Sequence, residues 1–324
     1  MGYLEKKDLP GRHRLSQTAT LPGISTGTFA YNSDDQLSTE TYDNNGNTLS
    51  TGGSTFTYDF ENRLKSMNNG AVTVEYDGDG NRVAKTVGSV STRYLVDDLN
   101  PTGLAQVVDE VANGVVQRTY TYGLQRINEN QPVGAAWTAS FYGYDGFGTV
   151  RSLSNASGTV TDTYDYDAWG NAINVTGSTP NLYFYRGEQH DQDLGLYYLR
   201  ARYFNPQTGR FLNRDPEAGQ IRVPASLHRF LYSKADPVDF ADPSGRDFAE
   251  KSLLVSLENG GTVRQLIAAG RIVSHVACVT YGAVVAAVYV AGGVTAGIWD
   301  DLPHVPEVDI FCALRETLLL LAGI

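Results

Sequence analysis

The chain has 324 residues, 41% of them hydrophobic and 19% charged, and a formal net charge of −11 at pH 7. A chain of this length can bury a sizeable core in one large or two medium domains. The acidic balance argues against binding to nucleic-acid backbones, which requires a basic face. The 34 glycines and 20 tyrosines favour β structure, because aromatic side chains suit pleated surfaces and glycine suits turns.

The first 27 residues form a polar segment, which we predict to be poorly ordered. They contain no apolar stretch of the kind that forms the core of a signal peptide. If the protein leaves the cell, we therefore expect it to use an export route without a signal peptide of that kind.

A Tyr-Asp unit recurs along the next part of the chain. Residues 42–47 read YDNNGN and residues 76–81 read YDGDGN, with YDFENRL at 58–64 between them. A second pair follows, with YDGFG at 144–148 and YDAWGN at 166–171. Recurrence at a roughly fixed period is typical of a repeat architecture.

Each unit consists of a short β-favouring segment, such as 55–58 or 72–76, followed by a turn sequence of the type Asp-x-x-Gly-Asn. Asp and Asn hydrogen-bond their own backbone and Gly accepts positive φ, so the pattern predicts a hairpin turn. One hairpin is not stable alone. We therefore predict a mainly β protein in which residues 28–195 form a YD-repeat antiparallel β-hairpin strip.

Three smaller predictions concern the middle of the chain. For residues 105–116 we predict a strand, a turn at Asn113 and Gly114, and a return strand. The polar stretch 128–132 predicts an exposed loop, and His190 is interpreted as a polar loop residue. The sequence at 77–81 could instead open a calcium loop, but Arg82 stands where that loop needs Gly, so a turn is favoured.

Residues 197–245 are rich in aromatic and arginine side chains. Residues 198–216 read YLRARYFNPQTGRFLNRDP, and residues 242–245 close the stretch with DPSG, which is typical of a turn. This pair of motifs resembles the core of Rhs/YD-repeat proteins, a family that includes bacterial polymorphic toxins and the C components of insecticidal toxin complexes. The resemblance implies an Rhs-associated core at 196–245. Because family members are usually much longer, it also implies a fragment or a shortened gene product.

The resemblance further implies an aspartic self-protease that cuts just after the closing motif. Matched by motif, its functional residues are Arg202, Asp215 and Asp242, and the cleavage region is Gly245, Arg246 and Asp247. Two neighbouring carboxylates cannot both ionise cheaply, so one keeps its proton while the other can activate water. An adjacent guanidinium favours that asymmetry.

A purely structural role stays open for each of these residues. Asp before Pro initiates turns, and Arg202 can pair with a carboxylate or stack on Tyr203 or Phe211. Two departures from the family pattern bear on cleavage: Arg246 stands where an apolar residue is usual, and the spacing from Asp215 to Asp242 is 27, slightly longer than is common.

The tail at 246–324 differs in composition, and we predict that it is small and α-helical. Its segment 276–299 runs for 24 residues without a charge. As a helix this segment would be about 36 Å long, enough to span a membrane. The alternative is burial inside a protein shell. Both cysteines, Cys278 and Cys312, lie in this tail without CxxC spacing; buried free thiols are favoured over a disulfide bridge between them.

The five histidines show no metal-ligand spacing, and we expect no metal and no cofactor. The resemblance implies an Rhs-type secreted or cell-surface protein whose β shell and core would present or enclose the tail. Its expected partners are its own tail and an immunity protein or secretion machinery, not nucleic acid. The alternatives are a structural or adhesive repeat module without catalysis and a truncated remnant of a longer protein.

Overall fold

The computed structural model describes residues 4–8, 14–19, 27–217, 227–246 and 249–250. The chain divides into two compact units, one of residues 1–100 and 104–251 and the other of residues 101–103 and 252–324. Of the predicted helical tail, only Arg246 and a two-residue strand are described. The apolar segment 276–299, both cysteines and Asp247 lie outside the described residues.

The fold of the first unit is mainly β with antiparallel pairing, which confirms the predicted fold class. Its largest sheet has 14 strands, and each strand pairs with the strand that follows it in sequence. This sheet consists of β4 (Thr41–Tyr42), β5 (Thr48–Thr51), β6 (Ser54–Tyr58), β7 (Leu64–Met67), β8 (Val72–Tyr76), β9 (Arg82–Val87), β10 (Val90–Asp97), β11 (Gln106–Ala112), β12 (Val115–Tyr122), β13 (Arg126–Val133), β14 (Ala136–Tyr144), β15 (Val150–Ser154), β16 (Val160–Tyr166) and β17 (Ala172–Thr176).

Three smaller sheets and short 3-10 helices complete the described part of this unit. A three-stranded sheet lies in the N-terminal region, and a two-stranded sheet lies near residue 245. A four-stranded sheet has its first strand just before the predicted core stretch and its other three strands within it. Their strands are β1 (Leu4–Asp8), β2 (Arg14–Ala19), β3 (Gly27–Thr28), β18 (Gln189–Asp191), β19 (Leu196–Leu199), β20 (Arg202–Asn205), β21 (Arg210–Phe211), β22 (Phe240–Ala241) and β23 (Ala249–Glu250). The 3-10 helices are Asn68–Gly70, Tyr185–Gly187 and Tyr232–Ala235.

The turns of the repeat share one hydrogen-bond pattern. The side-chain Oδ1 of the residue that opens the turn accepts the backbone N–H groups two and four positions later, at 2.8–3.1 Å. The pattern explains why Asp or Asn opens each turn, since a short side chain can reach its own backbone. The opening residues are Asn32, Asp43, Asp59, Asp77, Asp145, Asn155 and Asp167.

The tyrosine that precedes the turn is bonded to the neighbouring strand. In several repeats its hydroxyl donates to a main-chain carbonyl at the start of that strand, and the strand register shifts next to the tyrosine. These bonds run from Tyr58 to Thr48, Tyr76 to Leu64, Tyr122 to Val107 and Tyr144 to Arg126, at 2.8–2.9 Å. In these four cases the tyrosine joins its strand to the preceding strand, directly before a turn.

The predicted hairpin at 105–116 is confirmed, with β11 and β12 joined at Asn113 and Gly114, both of which have positive φ. The predicted exposed loop at 128–132 is wrong. It forms most of strand β13, in which Glu129 is fully buried and Gln131 is 5% exposed. The polar composition misled the prediction, because these side chains face a buried polar network and not solvent.

The four-stranded sheet packs against the large sheet through its apolar side chains. Leu196, Tyr203 and Leu212 belong to one buried cluster with Phe56 and Leu64 of β6 and β7. His190 is in strand β18, not in a polar loop, and its ring lies 4.7 Å from that of Tyr197 between centroids. The core stretch therefore rests on the repeats, and its strands have fixed positions relative to the repeat turns.

Among the described residues, no helix combines the length and the apolar character needed to cross a bilayer.

Candidate peptide-cleavage site

Three elements of the four- and two-stranded sheets position the predicted site residues. Arg202 opens strand β20, Asp215 follows strand β21 in a loop, and Asp242 directly follows strand β22. Arg202 is 2% exposed. A buried arginine requires partners for its charge and its donors, because an unpaired buried charge is very costly.

The structure brings the three residues together at one nitrogen atom. The Nη2 atom of Arg202 lies 2.6 Å from Oδ2 of Asp215 and 3.1 Å from Oδ2 of Asp242. Arg202 and Asp242 are 40 positions apart in sequence, and the hydrogen bond between them is buried. The sequence motifs thus identified residues that are in direct contact.

The remaining donors of Arg202 bind main-chain carbonyls. Its Nε donates to the carbonyl oxygen of Gly245, and its Nη1 donates to that of Arg229 at 3.1 Å. The guanidinium also lies 3.6 Å from the centroid of the Phe211 ring. Carboxylate pairing and aromatic stacking, which the sequence offered as alternatives, therefore occur together at Arg202.

The closing DPSG motif forms a turn like those of the repeats. Oδ1 of Asp242 accepts the backbone N–H of Arg246, four positions later, at 3.1 Å, and the N–H of Gly245 lies 3.4 Å from the carbonyl of Asp242. Gly245 has a φ of +68°, and a Cβ there would lie 2.2 Å from the carbonyl oxygen of Leu199. Only glycine fits this backbone, both because of its φ and because of the adjacent main chain.

Several residues that fix the position of Asp215 were not identified from the sequence. The backbone N–H of Asp215 donates a hydrogen bond to the carbonyl oxygen of Arg229 at 2.8 Å. Nδ2 of Asn213 donates to the carbonyl of Asn62, in a repeat turn, at 2.9 Å. The Arg214 side chain passes over Gly46 of another turn, so that a Cβ at Gly46 would lie 2.4 Å from its Nε. No local pattern links these residues, because they meet only in the folded chain.

The two carboxylates differ in environment. The side chain of Asp215 is 18% exposed and that of Asp242 is 4% exposed. Burial raises the pKa of Asp215 above its usual value, although the adjacent Arg202 opposes this shift. Burial also lowers the pKa of Arg202, against the effect of both carboxylates. Asp215 therefore binds a proton more readily than a free aspartate does.

A cavity of about 490 Å³ adjoins the site. Asp215, Arg229 and Arg246 line it together with residues of three repeat turns, at 44–47, 61–63 and 78–80. Asp242 is not among its lining residues. Water in this cavity can reach Asp215, whereas Asp242 faces the turn that carries the Gly245–Arg246 bond.

The arrangement can do two things chemically at that bond. A guanidinium that donates to the Gly245 carbonyl oxygen can stabilise negative charge on it. A carboxyl group in contact with the Arg246 nitrogen can exchange a proton with it. The fold is thus a sheet of β repeats against which a smaller core packs. In that core, Arg202 contacts two aspartates and the carbonyl oxygen of a glycine turn.

A scan against models of protein families found no match. Among curated proteins, the chain is 36% identical over 216 residues to the tRNA3(Ser)-specific nuclease WapA of Bacillus spizizenii. The match covers 63% of this chain and 9% of that protein. It is also 27% identical over 106 residues to the toxin protein Tse5 of Pseudomonas aeruginosa, covering 33% of this chain and 8% of Tse5. The chain therefore spans less than a tenth of these relatives.

Solved structures of toxin-complex assemblies share the fold. The structure of TcdB2-TccC3-TEV matches with a TM-score of 0.59 at 18% identity, covering 75% of this chain and 13% of that one. The structure of the Photorhabdus luminescens Tc holotoxin pore matches with a TM-score of 0.56 at 17% identity, covering 78% and 13%. The chain is thus similar in sequence to part of the nuclease WapA and of the toxin protein Tse5, and it shares its fold with part of the toxin-complex structures.

Proposed function

We propose that the chain belongs to an Rhs-type secreted protein in which residues 196–245 form an Rhs-associated core that cleaves the chain between Gly245 and Arg246. The β repeats would hold this core, and cleavage would release the tail that begins at Arg246. One observation carries the proposal: the guanidinium of Arg202 contacts both carboxylates and the Gly245 carbonyl oxygen.

The roles of the two aspartates follow from their surroundings. Asp215 lines the cavity and has a raised pKa, which suits a general base that takes a proton from water. Asp242 contacts the Arg246 nitrogen, which suits a general acid that protonates the leaving amine. Arg202 would stabilise the oxyanion on Gly245, in the way a preorganised donor does in other acyl-transfer sites.

Within the predicted cleavage region 245–247, the contacts favour the Gly245–Arg246 bond over the Arg246–Asp247 bond. Arg202 contacts the carbonyl of Gly245, and Asp242 contacts the nitrogen of Arg246; these are the two sides of the Gly245–Arg246 bond. The Arg246–Asp247 bond reaches beyond the described residues. Arg246 itself, which departs from the family pattern, points to Glu217, with 3.5 Å between Nη1 and Oε1.

Mass spectrometry of the purified protein tests the proposal. We expect two species, one ending at Gly245 and one beginning at Arg246, and only the intact chain for Asp215→Asn and Asp242→Asn. Asp239→Asn is the matched control, because Asp239 is an exposed aspartate of the same stretch. An intact wild-type chain, in protein shown to be folded by circular dichroism, would rule the cleavage out.

The role of the released tail is a further part of the proposal. Because the relatives include proteins named as toxins and nucleases, we propose that the tail is an effector, and that an immunity protein or secretion machinery is a partner. Growth of cells that express the wild-type chain or Asp215→Asn tests this. Slower growth with the wild type than with Asp215→Asn is the expected result.

A structural or adhesive role is the second candidate. Buried ion pairs such as Arg82 with Asp191 and the many tyrosine-to-carbonyl bonds favour a rigid scaffold, which needs no cleavage. A chain that stays intact at every pH and resists protease would support this role. It would equally fit a truncated remnant of a longer protein.

A further inference from the structure

We propose that the hydroxyl of Ser244 relays the proton from Asp242 to the nitrogen of Arg246 when the Gly245–Arg246 bond breaks. This inference rests on the proposed self-cleavage and assigns a further catalytic side chain, beside Arg202 and the two aspartates, to the same bond.

The Ser244 hydroxyl lies between the two groups that it would connect. Its Oγ is 3.1 Å from the backbone nitrogen of Arg246, and its O–H donates to Oδ1 of Asp242 at 3.3 Å. Asp242 Oδ1 also contacts the same nitrogen at 3.1 Å. In the intact amide that nitrogen is a donor, so Ser244 Oγ accepts its N–H.

In the proposed step, the hydrogen bond between Arg246 N and Ser244 Oγ changes its donor once water has attacked the carbonyl carbon: the hydroxyl then donates to the nitrogen. The nitrogen then becomes pyramidal and has a free lone pair, which can accept a proton from a nearby hydroxyl. The Ser244 Oγ atom is already 3.1 Å from the nitrogen, so only the hydroxyl proton has to turn from Asp242 toward it, and such positioning of groups is a large part of catalysis.

The turn does not need this hydroxyl for its own hydrogen bonds. In the repeat turns opened by Asp43, Asp77 and Asp145, the same bond from Oδ1 to the N–H four positions later forms with Asn, Asp or Phe at the position equivalent to Ser244. The backbone of the 242–246 turn can therefore be satisfied by Asp242 alone.

The atoms of the step balance as follows. Asp215 takes one proton from water while the water oxygen bonds to the carbonyl carbon of Gly245, and Arg202 holds the resulting oxyanion. When the C–N bond breaks, Asp242 gives its proton to Ser244 Oγ, and Ser244 gives its own proton to the nitrogen of Arg246. The step begins with Asp215 ionised and one proton on Asp242, so the first products are a Gly245 carboxylic acid, an Arg246 amine, a protonated Asp215 and an ionised Asp242. The new carboxylic acid then gives its proton to the amine, and the aspartate pair still carries one proton.

The test measures the first-order rate at which the full-length chain disappears after cell-free synthesis of the whole 324-residue protein. Ser244→Ala should slow cleavage by about tenfold or more, since a positioned acid or base contributes about 10²- to 10⁴-fold and Asp242 retains its direct contact. Ser244→Thr and Ser244→Val form a second pair of nearly equal shape. Thr should restore the rate to within about threefold of wild type, and Val should not, because general acid–base transfer needs the hydroxyl.

Ser157→Ala is the matched control. Ser157 occupies the same position in the turn opened by Asn155, where its Oγ lies 2.7 Å from Oδ1 of Asn155, far from the core in sequence. It should leave the cleavage rate unchanged.

The outcomes separate the inference from the function on which it depends. Equal rates for wild type and Ser244→Ala, or equally slow Thr and Val variants, would overturn the relay while leaving self-cleavage intact. A wild-type chain that never cleaves would overturn the proposed function, and the relay with it.

Discussion

The Nε atom of Arg202 donates a hydrogen bond to the carbonyl oxygen of Gly245, while its Nη2 atom binds Asp215 and Asp242. One side chain thus fixes the distance between two acids and a peptide carbonyl. With the Arg229 carbonyl, the guanidinium makes four such contacts through three nitrogens, whereas a lysine has three donors on one nitrogen and cannot make all of them.

We therefore expect Arg202→Lys to slow the proposed cleavage by about 100-fold or more, the size of the loss when one oxyanion donor is removed. The measurement is the fraction of intact chain over time on a denaturing gel. Arg93→Lys is the control, because Arg93 is exposed on strand β10. Unchanged cleavage in Arg202→Lys would show that the guanidinium geometry is not needed.

Gly245→Ala should destabilise the protein more than Gly158→Ala. Both glycines occupy the same turn position with positive φ, +68° and +82°, and Ala at such a φ costs about 1–2 kcal/mol. A Cβ at Gly158 meets nothing within 4 Å, whereas one at Gly245 would lie 2.2 Å from the Leu199 carbonyl oxygen. Urea unfolding of the Asp215→Asn background compares the two free energies of unfolding without interference from cleavage. Equal losses would mean that the backbone contact at Gly245 relaxes without cost.

Glu129→Gln should make stability less dependent on pH. Burial raises the pKa of Glu129 from 4.5 to about 7, despite Arg118 and the hydrogen bond from Tyr142. An acid with a raised pKa in the folded state binds its proton more tightly there than in the unfolded state. Its cost to stability is therefore absent below about pH 4.5, grows from pH 4.5 to 7 and is complete above pH 7, at on the order of 3 kcal/mol.

The Gln variant should consequently gain stability relative to wild type at pH 8 and little or none at pH 4.5. Arg118 keeps Glu110 as a partner in this variant, at 3.1 Å. Urea unfolding at several pH values measures the effect, and Glu75→Gln, at an exposed position, is the control. A difference that does not vary with pH would show that Glu129 ionises normally.

Arg82→Met should cost roughly 3–5 kcal/mol, the usual loss when one partner of a buried ion pair is removed. Arg82 and Asp191 each have 1% exposed side chains, and Arg82 and Lys85 together lower the pKa of Asp191, against the effect of burial. Removing Asp191 as well, in Arg82→Met with Asp191→Leu, should recover part of the loss. The free energy of unfolding of both variants, compared with Arg93→Met, checks this. A double variant at least as unstable as Arg82→Met alone would contradict it.

The lowered pKa of Asp191 makes the contribution of this ion pair to stability depend on pH. Its pKa is lower in the folded state, so its contribution is present above the ordinary aspartate value and is lost as the pH falls below that value. Arg82→Met should therefore destabilise the protein less in strong acid than at neutral pH. Thermal unfolding at pH 7 and pH 3 measures the difference, and an equal loss at both would count against an ion pair at this site.

The local structure of the repeats could be predicted because its causes lie within a few residues. An Asp or Asn that binds the N–H groups two and four positions later fixes a turn by itself, and the hairpin at Asn113 and Gly114 follows from positive φ. The exposed loop predicted at 128–132 is wrong because the burial of these residues depends on contacts with distant parts of the chain. Whether Glu129 faces solvent or a buried network depends on Arg118 and Tyr142, which are on other strands.

The amino-acid sequence by itself determined a mainly β chain of repeated strands and turns and, through the motifs at 198–216 and 242–245, the arginine and two aspartates of the site. Only the tertiary structure decided that all three meet at Nη2 of Arg202, that Gly245 presents its carbonyl there, and that Ser244 lies beside the Arg246 nitrogen. The physical reason is range. Turn chemistry acts over four residues, whereas the site joins positions 40 apart that come together only when the core sheet packs against the repeats.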